Sequence, residues 1–422
     1  MKSILRVLMI VENNTYPSDT RVRQEAETLV NAGHLVSVIC PRGDGQPWRE
    51  SINNVQVFRF PMLSPGGGLI AYAVEFIYAT IVAIVYVLWR WIADGLDVIH
   101  VHNPPDTLFA CGLLPKCAGK TLVYDQHDLA PELYLSKYEY PRPLIWRILL
   151  ILEGLSMRFA DAVITANESY RKLATDRHGL SPDRCWVVRN GPDLNRIHLV
   201  APDPEIRSHA KTIIGYVGNI STQDGLDHLL LALHHLRQDL GYEDWFCVVV
   251  GPADNLAALE LLCAELDLTT KVRFTGYASG ETLLAYLSAA DICVVPDPSS
   301  PLNDRSTMIK IMEYMALEKP VVAYDLGEHR VSAGEAALYA RPNEPADMAS
   351  QLAHLIDEPA ERARLGAIGR RRVEEHLAWP YSAQRLVSLY KKLGKKPRST
   401  IDRLDPVEQP VASVEVDPGE NR

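Results

Sequence analysis

Short runs of apolar residues along the chain alternate with longer stretches in which apolar residues recur at helical spacing. The short runs are rich in Val and Ile, which favour strands. This alternation predicts an α/β fold in which parallel sheets carry helices on both faces. In the first half we predict strands at residues 6–11, 35–40, 55–60, 97–101 and 121–124, and helices at 19–32, 69–92, 105–117, 143–160 and 168–177. In the second half we predict strands at 213–217, 245–250, 291–295 and 321–324, and helices at 225–240, 255–266, 280–289 and 307–317.

The strand–helix pattern occurs twice, on either side of a polar, Pro-containing linker, HLVAPDPEIRSHA, near residue 200. A chain of 422 residues is long enough for two domains, each with its own core. We therefore predict an N-terminal domain of residues 1–200 and a C-terminal domain of residues 201–378. The segment 395–422 is polar, contains several prolines and has little periodicity, so we expect it to be disordered.

Residues 69–91, LIAYAVEFIYATIVAIVYVLWRW, form a long apolar stretch interrupted by only Glu75 and Arg90. Its length alone suits a transmembrane helix. Strand-like runs both precede and follow it, however, and a membrane-spanning helix would place strands of one sheet on opposite sides of the bilayer. Two alternatives remain, a helix buried against the sheet or a helix in the membrane interface. We favour a combination, with one face on the sheet and another presented to lipid.

The composition, with 47% hydrophobic and 23% charged residues, is that of an ordinary globular protein. The net charge of −10 argues against nucleic acid as a partner, since a general binder needs a basic surface. Residues 1–200 contain 20 basic and 20 acidic residues, so the net charge belongs to the second half. The seven cysteines form no C-x-x-C pair, which favours reduced cysteines in a cytoplasmic protein. The first apolar run lacks the cleavage site of a secretory signal.

Motifs of several enzyme classes are absent from the sequence. Neither first loop, ENNTYPSDTR or GNISTQDG, contains the G-x-G-x-x-G of a dinucleotide oxidoreductase. His100 and His102 lie on one side of a strand and could begin a metal site, but no third ligand is obvious nearby. We favour a polar strand end without a metal.

Six loops that follow strands are rich in hydrogen-bonding groups. Ligands of parallel sheets bind beyond the carboxyl ends of the strands, so these loops are where a site is expected. The loops are HVHNPPD, YDQHDLAPELY, VVRNGPD, YVGNISTQDG, VVVGPADN and VVPDPSSPLNDRS.

The stretch STMIKIMEYMALEKPVVA, residues 306–323, predicts a helix followed directly by a strand. Apolar residues cover most of the helix, and Lys310 and Glu313 share the remaining stripe. Buried charges are costly unless something pairs with them. Either the two residues form an ion pair with each other, or the stripe faces a ligand.

In these motifs the chain resembles the family 4 retaining glycosyltransferases of the GT-B fold, over about residues 5–393. The resemblance is carried by the order and spacing of several segments, and it implies two Rossmann-like domains whose parallel sheets face a cleft that binds a nucleotide-sugar donor. It also implies that a final helix, residues 379–394, crosses back to the N-terminal domain. The segments are YPSDTRVRQEAETLVNAGHLVSVIC, DVIHVHNPPD, YDQHDLAPE, VVRNGPD, YVGNISTQDG and IMEYMALEKPVVAYD ahead of GE.

The resemblance assigns residues to the two sides of the cleft. His127 matches the active-site histidine of the family, and we expect Asp128 to set its orientation. Arg21 and Asn103 are expected on the acceptor side. Glu313 is expected to bind the ribose of the donor, and the remaining donor-side residues are Lys310, Arg305, Gly218, Asn219, Asn190 and Gly251.

The chain also departs from the family pattern. Arg305 stands in place of the first Glu of the Glu-x7-Glu motif, and Asn219 and Asp224 stand where a basic pair commonly holds the diphosphate. We therefore expect Arg305 and Lys310 to replace that pair. Glu318 stands where a helix-ending Gly is usual, which costs stability if the backbone there is left-handed.

Together these features predict a cytoplasmic glycosyltransferase, peripheral to the inner face of the cell membrane and without a cofactor. Its partners would be a nucleotide-sugar donor and a glycan or lipid-linked acceptor, and its product would serve polysaccharide biosynthesis. Two alternatives are a nucleotide-sugar epimerase of the same fold and a catalytically silent protein that binds a sugar or a partner.

Overall fold

The computed structural model describes residues 4–63, 68–138 and 140–395. The disorder expected for the C-terminal tail therefore falls outside the described residues, apart from its first residue.

The first sheet has eight strands and is built from the N-terminal half of the chain. They are β1 (Arg6–Ile10), β2 (Leu35–Pro41), β3 (Arg49–Ile52), β4 (Val55–Phe60), β5 (Val98–His102), β6 (Thr121–Gln126), β7 (Ala162–Thr165) and β8 (Cys185–Val187). They lie in the order β3-β4-β2-β1-β5-β6-β7-β8, and every pair is parallel except β3 with β4.

The second sheet has six strands, all parallel, in the second half of the chain. They are β9 (Thr212–Val217), β10 (Trp245–Val250), β11 (Val272–Phe274), β12 (Ile292–Val295), β13 (Val321–Tyr324) and β14 (Ala337–Ala340). Their order is β11-β10-β9-β12-β13-β14. The two sheets confirm the predicted α/β fold with two Rossmann-like domains.

Helices cover both faces of each sheet. Those of the first half are α1 (Thr20–Asn31), α2 (Leu69–Asp94), α3 (Leu113–Cys117), α4 (Ala130–Lys137), α5 (Pro143–Phe159) and α6 (Glu168–His178). Those of the second half are α7 (Pro204–Ser208), α8 (Leu226–Gln238), α9 (Leu256–Glu265), α10 (Gly280–Ala289), α11 (Ile309–Ala316), α12 (Gly327–Ala333), α13 (Pro345–Asp357), α14 (Pro359–Arg372) and α15 (Trp379–Leu393).

Two helix predictions need correction. The helix predicted at residues 105–117 is a 3-10 segment over Asp106–Gly112 followed by the short α3. The Ser156 hydroxyl donates to the Asp106 carbonyl at 2.7 Å, and this bond takes an acceptor that an α-helix would use internally. The helix predicted at residues 307–317 begins two residues later, at Ile309, because the Thr307 side chain bonds to groups outside the helix.

The last helix, α15, returns from the second half of the chain to pack on the first sheet. Trp379, Leu386 and Tyr390 are buried in the core on the α1 side, and Trp379 Nε1 donates to Thr28 Oγ1 at 2.9 Å. The chain enters this helix beside Gly191, where a Cβ atom would lie 2.1 Å from the Leu377 carbonyl oxygen. Glycine at this position therefore lets the returning segment pass close to the loop after β8.

Glu318, two residues after the end of α11, has φ of 55°, so its backbone is left-handed and the condition for a cost in stability is met. We expect Glu318→Gly to raise the free energy of unfolding by roughly 1 kcal/mol, because glycine adopts this conformation without a Cβ clash. Urea unfolding followed by circular dichroism measures the change. Ser350→Gly, within α13, is the matched control and should lower stability. A loss of stability in both variants would contradict the expectation.

Candidate active site

Loops that follow strands of the two sheets meet directly. Asn167 Nδ2, after β7, donates to the Arg305 carbonyl oxygen at 2.8 Å, and the hydroxyls of Tyr170 and Ser306 are 2.9 Å apart. Such contacts bring the carboxyl ends of the strands of both sheets to one interdomain boundary.

A second set of contacts crosses the same boundary near α12. Arg189, after β8, donates to Ser332 Oγ at 2.7 Å, and Ser169 Oγ donates to Glu328 Oε1 at 2.6 Å. Glu328 is buried, with Arg189 Nη2 3.4 Å from its other oxygen. Hydrogen bonds to a charged side chain therefore link the domains beside the cleft.

A small crevice lies between the domains. Its walls bring together three residues predicted from the sequence, Arg21, Asn190 and Glu313. Arg23 and Arg196 also line it, although neither was predicted from the sequence. Arg23 lies within the first quoted motif and Arg196 lies six residues after Asn190, but only the folded loops show that they share a cavity with Glu313.

His127, directly after β6, is held through one ring nitrogen. Its Nε2 atom lies 3.2 Å from Asp125 Oδ2 and 3.0 Å from His102 Nδ1, and its backbone N–H donates to Asn103 Oδ1 at 2.6 Å. The side chain is 12% exposed. Because both described ring contacts use Nε2, the Nδ1 atom is the one left to meet a ligand.

The expectation that Asp128 orients His127 is wrong, since Asp125 and His102 hold the ring. Asp128 is fixed through its backbone instead, because Asn103 Nδ2 donates to its carbonyl oxygen at 2.8 Å and Asn103 Oδ1 accepts from its N–H at 3.2 Å. Burial raises the pKa of the Asp128 carboxyl. Asn103 is itself buried, so in the structure it braces the loop of His127, and its role toward an acceptor stays a prediction.

Arg21 lies beneath His127 and joins three elements of the first domain. Its Nε and Nη2 atoms donate to the two carboxylate oxygens of Asp125 at 2.9 and 2.7 Å. Its Nη1 atom donates to the Val188 carbonyl at 2.8 Å and to Asn190 Oδ1 at 2.5 Å. A bidentate pair of this kind fixes orientation as well as charge. Arg21 thus holds both the carboxylate behind His127 and the amide of Asn190.

The structure brings two further possible metal ligands to His100 and His102 that are not obvious from the sequence. Glu25 and Asp125 join them, and one ligand atom of each of the four buried residues lies within 4.8 Å of the others. These are the residues that could hold a metal ion. The Arg21 guanidinium contacts both carboxylates, at 2.7 Å from Asp125 and 3.3 Å from Glu25, and it supplies positive charge at this position.

Burial controls the protonation of this cluster. It raises the pKa of Glu25 well above its usual range, helped by the negative charge of Asp125, and it lowers the pKa values of His100 and His102. Burial opposes ionisation of Asp125 too, but the Arg21 guanidinium and the neighbouring histidines outweigh it and hold the pKa of Asp125 well below its usual range. Burial thus favours the neutral forms of Glu25, His100 and His102, whereas the Arg21 guanidinium favours the ionised form of Asp125.

Lys310 is buried and pairs with groups other than Glu313, so the alternative in which these two residues form an ion pair with each other does not hold. Its Nζ atom lies 3.1 Å from both carboxylate oxygens of Asp297, 3.1 Å from the Tyr216 hydroxyl and 3.7 Å from Asp224 Oδ1. Burial lowers the pKa of a lysine, but Asp297 and its neighbours outweigh it and the pKa of Lys310 is raised. Burial raises the pKa of Asp224 to about 6. A diphosphate would have to compete with these carboxylates for Lys310.

Glu313, three residues further along α11, faces the interdomain crevice instead. Burial raises the pKa of its carboxyl, and Lys310 is the charged neighbour that lowers it. The question of what the polar stripe of this helix faces thus has two answers. Lys310 faces acidic groups of its own domain, and Glu313 faces the cleft.

The remaining predicted donor-side residues lie around these two. Arg305 donates from Nη1 to the Pro301 carbonyl at 2.8 Å, so its guanidinium is fixed within its own loop. Asn219 is exposed at the end of β9. A Cβ atom on Gly251 would lie 1.8 Å from the Gly218 carbonyl oxygen, so the two predicted glycines allow their loops to touch. Their roles toward a donor stay predictions.

Two family models match the chain. The Glycosyl transferase 4-like domain matches residues 18–191, and Glycosyl transferases group 1 matches residues 211–358. The chain is a glycosyltransferase of the GT-B fold. The site described above accordingly lies in the interdomain cleft of a glycosyl-transfer enzyme.

Curated relatives of this glycosyltransferase agree with that family. An uncharacterised glycosyltransferase of Methanocaldococcus jannaschii is 25% identical over 87% of this chain and 92% of its own length. A 2-deoxystreptamine glucosyltransferase of Streptomyces kanamyceticus is 24% identical over 78% of this chain and 85% of its own.

Solved structures share the fold over nearly the whole chain. Sucrose-phosphate synthase of Thermosynechococcus elongatus matches with a TM-score of 0.74 at 20% identity, covering 92% of this chain and 99% of its own. Anabaena HepE in complex with UDP-glucose matches with a TM-score of 0.67 at 17% identity and the same coverage.

Proposed function

We propose that this glycosyltransferase is a family 4 enzyme that transfers a sugar from a nucleotide diphosphate donor, with retention of configuration, to a lipid-linked or polysaccharide-precursor acceptor. The observation that carries the proposal is the position of Glu313 in the interdomain crevice, opposite Arg21 and Asn190. A carboxylate in such a place suits the hydroxyls of a ribose. The fold shared with HepE, which was solved with UDP-glucose, supports a nucleotide sugar as donor.

In the proposed reaction the bond between the anomeric carbon and the donor phosphate oxygen breaks, and the nucleoside diphosphate departs. The acceptor hydroxyl oxygen bonds to the anomeric carbon on the same face, and its proton passes to the departing phosphate. The negative charge that builds up would be met by Lys310 and by the N-terminus of α11. The side chain of His127 would bond to the donor sugar or to the diphosphate.

Closure of the cleft is the second requirement, because water would otherwise hydrolyse the donor. The contacts of Asn167 and Arg189 with the C-terminal domain support this part of the proposal, because they join the two domains beside the crevice. Donor turnover with a panel of nucleotide sugars tests the proposal, with released nucleotide as the readout. A catalytically silent sugar-binding protein, favoured by the pairing of Lys310 with Asp297, would release none.

Variants of Glu313 and Lys310 should distinguish binding of the nucleoside part of the donor from binding of its diphosphate. We expect Glu313→Gln to weaken binding of nucleoside and nucleoside diphosphate alike, because both carry the ribose. Lys310→Ala should weaken only the diphosphate, by roughly 1.5–3 kcal/mol for a charge-assisted bond. Isothermal titration calorimetry with both ligands measures the difference.

Matched controls lie at the end of the same helix. Glu318→Gln and Lys319→Ala remove the same charges beyond α11 and should leave both affinities unchanged. Unchanged diphosphate binding in Lys310→Ala would show that this lysine serves only its ion pair with Asp297.

A further inference from the structure

Helix α2 carries a continuous stripe of exposed apolar side chains. They recur every three or four residues, as one face of a helix requires, and their exposed fractions run from 46% to 85%. The opposite face is formed by Ala79, Ala83 and Val87, which are buried against the first sheet. The exposed residues of the stripe are Ile70, Val74, Ile77, Ile81, Val85, Trp89 and Ile92.

Helix α5 extends this surface. Leu144, Ile148 and Ile151 are between 46% and 70% exposed, and Leu114 of α3 is 61% exposed. Helices α2 and α5 both pack against the 3-10 segment Asp106–Gly112 and contribute to one core on the same side of the first sheet. The stripe on α2 and these four residues therefore lie on the same side of the first sheet, and together they are here named the apolar face.

Eleven exposed apolar side chains on one side of the sheet are unusual for a surface that stays in water, since monomeric soluble proteins rarely expose large apolar patches. Within the described ranges, α2 is the one helix long and apolar enough to span a membrane. Only 28% of its most apolar 18-residue stretch is buried. It cannot cross a bilayer in this fold, because it connects β4 to β5 of one sheet and lies on that sheet through Ala79, Ala83 and Val87.

The charges on α5 indicate what covers the face. Arg147 and Arg158 are exposed on this helix and Arg142 is exposed at its start, whereas its only acidic residue, Glu153, is buried with Arg177 and His178. Exposed charge on α5 is therefore basic although the whole chain has a net charge of −10. Basic residues beside an apolar face favour a bilayer that contains anionic lipid.

We propose that the apolar face docks on an anionic lipid bilayer, with α2 and α5 lying in the interface and neither helix crossing it. Apolar side chains enter the acyl region and the arginines meet the headgroups. This inference does not depend on the donor or on the chemistry of the cleft.

The position of α2 also relates the bilayer to the cleft. Glu75, on its second turn, lies beside Glu12, which follows β1 at the cleft edge of the sheet, and Lys137 of α4 donates to Tyr72 at 2.7 Å. The start of the docked helix is therefore at the cleft side of the N-terminal domain. If the proposed function holds, docking brings the acceptor side of the cleft to lipid-carried acceptors.

Vesicle flotation with the full-length protein tests the docking. The vesicles contain phosphatidylcholine alone or with phosphatidylglycerol. We expect binding to the anionic vesicles, weakened about tenfold or more in Ile77→Glu/Ile81→Glu and in Ile148→Glu/Ile151→Glu. Arg142→Gln/Arg147→Gln should lose the preference for phosphatidylglycerol.

The control is Leu261→Glu, which replaces an equally exposed apolar residue of the C-terminal domain and should bind as the wild type does. Donor turnover in solution should be unchanged in all these variants, so a failure of docking is distinguishable from a failure of the proposed function. Wild-type-like flotation of both double isoleucine variants would overturn the inference. The inference would also be overturned if analytical ultracentrifugation without lipid showed the wild type as a dimer and these variants as monomers. The apolar face would then be covered by a second copy of the chain.

Labelling distinguishes docking from crossing. Ser51 and Asp176 are exposed and flank α2 along the chain. In a Cys117→Ser background, which removes the exposed native cysteine, a membrane-impermeant maleimide should label Ser51→Cys and Asp176→Cys equally from outside reconstituted vesicles. Labelling of only one of them would place α2 across the bilayer and overturn the inference.

Discussion

Replacing His127 by Ala is expected to lower kcat by about a hundredfold or more while KM for the donor changes little. Asp125 and His102 hold the imidazole through Nε2, so the other ring nitrogen is presented in one orientation. A group positioned in this way contributes most where charge develops in the transition state, and less to binding of the ground state. Steady-state kinetics with the donor identified from the panel measures both constants.

The control for this variant is His228→Ala, which removes a half-buried histidine that bonds to Tyr324 in the other domain. It should leave kcat within a few-fold of the wild type. A His127→Ala enzyme with near-normal kcat would make His127 a structural loop residue.

Replacing Arg21 by Met is expected to destabilise the N-terminal domain by roughly 3–5 kcal/mol, because removing one partner leaves a buried charge unpaired. Arg21 makes two bonds to Asp125, and neither side chain is more than 4% exposed. The Val188 carbonyl and the Asn190 amide lose a donor as well. Urea unfolding followed by tryptophan fluorescence measures the loss.

Arg23→Met provides the comparison for Arg21→Met. Arg23 lies two residues further along α1 and donates to the Pro17 carbonyl at 3.3 Å, without a buried carboxylate as partner. We expect Arg23→Met to lower the free energy of unfolding by less than about 1 kcal/mol. Equal losses in the two variants would show that the buried pair with Asp125 does not carry the stability.

The alternation of apolar runs and amphipathic stretches was enough to predict both parallel sheets and most of the longer helices, although α13 and α14 were not predicted. It works because the periods of strands and helices are properties of the local chain. No range was predicted for strands β3, β7, β8, β11 and β14, which have only three or four residues each and are too short to show a clear period. The sequence showed that Glu318 stands where a helix-ending Gly is usual, and the structure then showed that its backbone is left-handed.

The sequence predicted several residues of the candidate site, but not which residues contact each other there. The sequence by itself determined that His127, Asn190 and Glu313 lie in loops or helices at the carboxyl ends of strands. Only the tertiary structure decided that Arg21 meets Asp125, 104 positions away, and that Lys310 meets Asp297 instead of Glu313. Such pairings depend on which strands become neighbours in a sheet, and local periodicity carries no information about that order.

The same division holds for the long apolar helix α2. The sequence of α2 determined that this helix is too apolar for an ordinary protein surface. It did not determine which face of the helix the sheet covers. The sheet decided this by burying the small residues Ala79 and Ala83, which allow close packing, while the larger Ile77 and Ile81 remain exposed. Burial is a relation between elements, so the face that remains free could be seen only once the elements had been packed together.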